Sequence, residues 1–357
     1  MSRRLIPALM MLPAFAPGQQ KPPQEPAAPV ELGQVQWSSD LEAALARSRA
    51  GGRPVLLLFQ EIPGCETCRD FGKGPLSHPL LVEAIETEFL PLAVRNNRPG
   101  PEAGILQRFG ETAWNNPVVR FLDADGKDLV PRREGVWTTA GIAGRMVSAL
   151  RAAGRPAPGY LQLLAAEKPA AVKGKAVFAM HCYWEGEAAL GGLEGVLSTR
   201  PGLLQDREVV EVVFDPARLP FAELVKKASE LDCADAVFAS SEKEESAARI
   251  GGAKKIVRTD AAPREVKAGD HHYYLGQSPL KFLPLTRLQV LRVNRELGTE
   301  GDPGVWLSPR QEKLAAALRK AWDLRPVLFQ EWQPAGTVFE LPAVEQKLRA
   351  ALTESRP

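Results

Sequence analysis

Val55-Leu56-Leu57-Leu58-Phe59-Gln60-Glu61-Ile62-Pro63-Gly64-Cys65-Glu66-Thr67-Cys68 is the stretch on which the fold turns. Its unbroken apolar run reads as a strand buried on both faces. Pro63-Gly64 ends that strand and turns the chain into Cys65. The two cysteines then open a segment that reads as a helix. A cysteine at a strand-to-helix junction sits at the positive end of the helix dipole, which favours thiolate over thiol. A second junction of this kind follows at Met180-His181-Cys182-Tyr183-Trp184, after the apolar run Ala176-Val177-Phe178-Ala179. The chain therefore reads as two scaffolds that each present reactive sulfur.

A length of 357 residues leaves room for two domains and an appendage. The net charge is only +2. With no basic patch interleaved with aromatics, a nucleic-acid partner is not expected. Arg3-Arg4 precede an apolar run from Leu5 to Ala16, too short to span a bilayer. This start resembles a secretory signal peptide, with Ala14-Phe15-Ala16 as a small-x-small cleavage site and Pro17 as a poor neighbour to it. Residues 1–33 are thus expected to be a leader and a Pro/Gln-rich linker. The mature chain is expected outside the cytoplasm, periplasmic or secreted, with no integral membrane segment. Four cysteines are too few for a disulfide scaffold. One C-x-x-C in an exported chain points to redox exchange. Zinc needs two further ligands, and there is no second C-x-x-C or H-x-x-x-H, so neither metal nor cofactor is expected.

Residues 34–155 form the first expected domain. Asp40 caps a helix running to Ala50, stopped by Gly51-Gly52. Strand Val55 to Gln60 and the cysteine helix follow, then a helix to Phe89 with Pro79 in its first turn. Leu90 to Val94 reads as a strand, Pro101 to Phe109 as a helix, and Pro117 to Leu122 as a strand. Asp123-Ala124-Asp125-Gly126 supplies turn chemistry ahead of a further strand. Thr138 starts a helix to Ala153. This order, with Cys65-x-x-Cys68 after a buried strand and Asn116-Pro117 opening a later one, resembles the thioredoxin fold. The resemblance implies that Pro117 is cis and packs beside the sulfurs. It also implies that Cys65 attacks and Cys68 resolves. Phe59 stands where many thioredoxins bury an acid, so proton transfer must use another group or water.

Residues 156–174, rich in Ala, Pro and Gly, read as a linker. In residues 175–285, strands at 176–180, 196–199, 209–214 and 236–238 alternate with helices at 183–193 and 221–231. The order βαββαβ implies a ferredoxin-like core, helices covering one face of an antiparallel sheet. The whole is α/β followed by α+β. Cys182-Tyr183-Trp184-Glu185-Gly186-Glu187, Gly195-Val196-Leu197-Ser198-Thr199, Glu208 to Pro216, and Asp270-His271-His272-Tyr273-Tyr274-Leu275 through Pro279 resemble, in order, motifs of the A-type peptide methionine sulfoxide reductases. The resemblance implies that Cys182 attacks the sulfoxide sulfur and that Tyr183 and Trp184 wall the substrate methyl. Glu208 would protonate the sulfoxide oxygen, since that oxygen leaves poorly until protonated. The resulting sulfenic acid must be cleared by a second thiol, for which Cys233 is the candidate, with Cys65 and Cys68 reducing in turn. Thr199 to Glu208 is shorter than the family's segment and lacks its tyrosine. Acid assistance would then fall to His181, His271 or Tyr274.

Residues 286–357 read as a helical extension, with helices near 288–297, 311–322 and 344–352. Trp306, Trp322 and Trp332 are expected to pack it on the second domain. The reading that follows is an exported thiol-dependent oxidoreductase that reduces methionine sulfoxide in proteins, its C-x-x-C recharged by an external thiol reductant. One alternative is a thiol–disulfide oxidoreductase whose second domain only docks oxidised protein substrates. Another, from a resemblance to small heavy-metal-binding domains, is copper(I) binding through Met180-His181-Cys182. There Glu185 stands where the second cysteine should be.

Overall fold

The computed structural model describes residues 29–114 and 117–353. The expected leader and most of the linker after it lie outside those residues, as does Asn116, so the bond before Pro117 does too. The first unit comprises α1 (Leu41–Gly51), β1 (Val55–Gln60), α2 (Glu66–Lys73), α3 (Pro79–Glu88), β2 (Leu90–Arg95), α4 (Pro101–Phe109), β3 (Val118–Leu122) and α5 (Thr139–Ala152). The Asp40 side chain accepts from Ala43 N at 2.9 Å, and Gly52 closes α1 at φ 67°. The sheet order is β2-β1-β3, with β2 parallel and β3 antiparallel to β1. Leu57 and Phe59 enter one core with α1 and α4, while Leu56 and Leu58 enter another with α3 and α5. Being buried from both sides is why β1 carries no polar alternation.

The strand expected after the Asp123–Gly126 turn does not form among the described residues. The pairing is reduced to the bridge Leu122–Asp128 and the bonds from Asp123 N to Lys127 O and from Leu129 N to Phe121 O. Two residues on, Pro131 has no N–H to offer a ladder.

Then come α6 (Gly159–Ala166), β4 (Gly174–Ala179), α7 (Tyr183–Gly191), β5 (Val196–Leu204), β6 (Arg207–Phe214), α8 (Phe221–Glu230), β7 (Ala236–Ala239), α9 (Glu242–Ile250), β8 (Ile256–Arg258) and β9 (Arg264–Glu265). The strands are ordered β8-β7-β4-β6-β5-β9. Its inner part, β7-β4-β6-β5, is antiparallel throughout, the order of a βαββαβ core. The sheet as a whole is mixed, because β8 joins β7 in parallel. The short segment from Thr199 to Glu208 is not a loop. It extends both strands into a hairpin whose two turn residues, Gln205 and Asp206, sit at φ 51° and 55°.

The chain ends with α10 (Tyr273–Gly276), α11 (Arg287–Gly298), α12 (Pro309–Leu324) and α13 (Leu341–Thr353). Thr286–Gln289 and Ser308–Gln311 form capping boxes on α11 and α12. The extension does not rest on the second core alone. Trp306 packs there, but Trp322 and Trp332 stand 6.1 and 5.6 Å from Phe282 in a cluster shared with Leu80, Phe121 and Ile142. Helix α6, inside the expected linker, likewise puts Tyr160 and Leu161 in that cluster and Leu163 in the other. Arg310 N donates to Glu83 Oε1 at 2.7 Å, tying α12 to α3. Among the described residues no helix is long and apolar enough to cross a membrane.

Candidate active sites

All four cysteines are free thiols. Cys65 caps α2 and is exposed, whereas Cys68, one turn in, is fully buried. Their sulfurs are 3.5 Å apart. The backbone N–H of Cys68 holds the Cys65 thiol below its ordinary value, with burial and the nearby Glu61 charge acting against it. Burial pushes the Cys68 thiol up to about 11. The exposed sulfur is thus the more readily ionised of the two, and the other is kept protonated behind it. The loop before them is pinned from afar. Gly64 N donates to Glu31 Oε1 at 2.8 Å, and Gln60 Nε2 donates to Glu31 O at 2.6 Å and to Cys68 O at 3.1 Å. A Cβ at Gly64 would fall 2.6 Å from Cys68 Cβ and 2.4 Å from Glu61 O, so only glycine lets the loop approach. Phe59 is buried, leaving no acid beneath the dithiol at that position. Pro117 is buried, and its carbonyl accepts from Trp137 Nε1 at 3.1 Å.

The second site gathers at one end of the larger sheet. Ala179, the last residue of β4, pairs with Ala236 at the start of β7 and with Val209 near the start of β6. Cys182 leaves β4, Cys233 enters β7 and Glu208 enters β6 at this same end. Cys182 is the N-cap of α7 and half-buried. Glu208 Oε2 accepts from Tyr183 N at 2.8 Å, using the donor that a helix start leaves free. Trp184 stacks on Tyr273 at 4.0 Å and its Nε1 donates to Asp270 Oδ1 at 3.3 Å. Tyr273 meets Tyr274 edge-on at 5.6 Å. Burial raises the Tyr183 phenol, helped by Asp270 and Glu208, and burial raises that of Tyr274, which also faces Glu185 and Cys182. Both remain proton donors at neutral pH.

Cys233 is buried, and its thiol donates to Leu231 O at 3.2 Å. Burial, then Asp232, Glu185 and Asp235, pushes it up to about 11. His271 instead lines a groove with Leu275, Lys281 and Pro334. His181 is exposed. The Met180 thioether is buried against Gly186, where an added Cβ would meet the sulfur, so of the soft-ligand set read as Met180-His181-Cys182 one member packs inside while His181 faces solvent.

Two residues without an assigned role hold the aromatic wall. Glu187, 1% exposed, accepts from His272 N at 2.6 Å and from Thr199 Oγ1 at 3.2 Å. This anchors the kink at His272 (φ 47°) from which Tyr273 and Tyr274 project. Asn294 of α11 accepts from Leu275 N at 3.0 Å, and Gly298 leaves room for the Tyr274 ring. Glu187 stood inside a quoted motif; only its burial reveals its task. Burial pushes it up to about 7 and pushes His272 down to about 4, so at neutral pH the imidazole is uncharged and the 3.3 Å contact is not an ion pair.

The native state therefore holds the Glu187 proton more tightly than the unfolded chain. Its contribution to stability is full below the ordinary value of 4.5 and is lost as pH rises through about 7. The depressed His272 pulls the other way over this range, so Glu187→Gln is expected to make stability rise more steeply with pH between about 4.5 and 7 than in the parent, as read by urea unfolding. Glu187→Leu leaves His272 N without its acceptor and is expected to cost about 1–3 kcal/mol.

Residues 36–124 match the Thioredoxin-like family model, so the N-terminal unit is thioredoxin-like and the chemistry it implies is thiol-based redox. Two solved structures are similar in part. The "DsbH Oxidoreductase" shows 21% identity and a TM-score of 0.29, over 37% of this chain and 95% of its own. Methionine sulfoxide reductase A of Corynebacterium diphtheriae shows 18% identity and a TM-score of 0.26, over 32% of this chain and 82% of its own. No curated protein matches the chain.

Proposed function

We propose that this thiol oxidoreductase reduces methionine sulfoxide in oxidised proteins at Cys182 and draws its electrons from the Cys65–Cys68 dithiol. The observation that carries the reading is the convergence of Cys182, Glu208 and Cys233 on one end of three neighbouring strands, beneath an aromatic wall. Cys182 attacks the sulfoxide sulfur while Glu208, or the Tyr274 phenol, protonates the oxygen. The oxygen passes to Cys182 as a sulfenic acid, and the substrate leaves as methionine. Cys233 displaces that oxygen as water and forms a disulfide with Cys182. Cys65 attacks this disulfide, Cys68 releases Cys65, and an external dithiol reduces the resulting pair. Export is part of the reading and rests on the basic-then-apolar start at residues 1–16.

The test is a single turnover. Reduced protein carrying Cys65→Ser and Cys68→Ser, given one equivalent of a methionine-sulfoxide peptide and quenched with alkylator, is expected to yield a Cys182–Cys233 disulfide by mass mapping. Two unlinked thiols would refute the relay.

The Trp184–Tyr273 stack favours a second reading, because it already covers one face of the indole expected to receive the substrate methyl. In it the second unit only docks disulfide-bearing proteins for Cys65. It requires that the peptide stay unreduced while insulin disulfides are cut.

A further inference from the structure

We propose that Glu61, Cys65 and Cys68 form a site for a borderline-soft divalent cation of the zinc class. The Glu61 carboxylate and both sulfurs lie within 4.8 Å of one another. The 3.5 Å between the sulfurs is close to the roughly 3.8 Å edge of a tetrahedron with Zn–S bonds of about 2.3 Å. Counting cysteines and histidines alone leaves the pair two ligands short, but a carboxylate is also a zinc ligand. Three protein donors with an open fourth position make a workable site.

The arrangement is built rather than incidental. The turn that brings Glu61 back over the dithiol is held by Ile62 N donating to Asn97 Oδ1 at 3.2 Å, Asn97 Nδ2 donating to Pro63 O at 3.3 Å, and Gly64 N donating to Glu31 Oε1 at 2.8 Å. Exposed Cys65 gives the ion an entry path. A carboxylate and two sulfurs held this close form a donor set that a dication draws together. On binding, the protons still held by the two thiols pass to solvent, both sulfurs stay reduced and no electrons move. Neither sulfur can then attack a disulfide, so the metal holds the dithiol out of exchange.

Full-length protein carrying Cys182→Ser and Cys233→Ser, reduced with a phosphine under argon, is titrated with zinc against a chromophoric chelator. One equivalent is expected to bind and to slow iodoacetamide labelling of Cys65 at least tenfold. Cys68→Ser is expected to remove the equivalent, and Glu61→Ala to weaken it by about tenfold or more. Circular dichroism confirms that each variant is folded, and Glu61→Gln serves if the alanine variant is not. The absence of a stoichiometric site, or equal affinity without the Glu61 carboxylate, overturns the proposal. Either result leaves the sulfoxide reading intact, because that reading rests on Cys182.

Discussion

Cys182→Ser is expected to reduce methionine-sulfoxide turnover by at least about a thousandfold, as loss of a covalent nucleophile does. Serine preserves the volume and the N-cap of α7, so the fold should survive. What it removes is a sulfur able to accept the sulfoxide oxygen. A hydroxyl cannot be oxidised to the equivalent of a sulfenic acid, so no rescue by a stronger reductant is expected. The measurement is dithiothreitol-driven loss of the sulfoxide peptide, followed by mass. Insulin reduction by the other dithiol reports that the variant is folded. Full turnover by Cys182→Ser would strip this site of its proposed nucleophile.

The first half of the fold was legible because its signals are local. Val55 to Phe59 could only be a strand with a core on each side. Asp40, Thr138 and the glycine stop at Gly52 mark helix ends through hydrogen bonds that span a few residues. The inner four strands of the second sheet were legible for the same reason. The Gln205-Asp206 turn was not. It holds positive φ at both positions without the Asn-Gly or Asp-Gly pair that usually announces such a hairpin. That turn leaves no loop between Thr199 and Glu208 for a tyrosine, and the phenols that feel the Cys182 sulfur are those of Tyr183 and Tyr274.

The missed site residues share one property: their partners lie far along the chain. Glu31 reaches Gly64 over 33 positions, Glu187 reaches His272 over 85, and Asn294 supports Leu275 from the extension. No spacing rule links such pairs. Each becomes visible only as a buried polar group that must find a partner. The extension, too, looked like an appendage because its helices carry no chemistry of their own. Its role is mechanical: α11 braces the aromatic wall, while Trp322 and Trp332 join the first core.

Cys65→Ser is expected to lower insulin-disulfide reduction by at least about a thousandfold, and Cys68→Ser to arrest it at a mixed disulfide. The order follows from the two environments. Cys65 is exposed and its anion is held by the Cys68 backbone N–H, whereas Cys68 is buried and pushed up to about 11. At neutral pH Cys68 is overwhelmingly a thiol, so it cannot make the first attack. Once Cys65 is bonded to a substrate sulfur, that electrophile stands beside Cys68 and the second step becomes intramolecular. Removing Cys68 therefore traps the adduct, visible as a band on a non-reducing gel that dithiothreitol dissolves. Serine at position 68 keeps the main-chain N–H, the largest influence on Cys65, so labelling of Cys65 should still level off below the ordinary thiol value of 9.0. In the native protein iodoacetamide should label Cys65 far ahead of Cys68. Equal labelling, or a Cys68→Ser variant that turns over freely, would mean that the two sulfurs do not divide the work as their surroundings dictate.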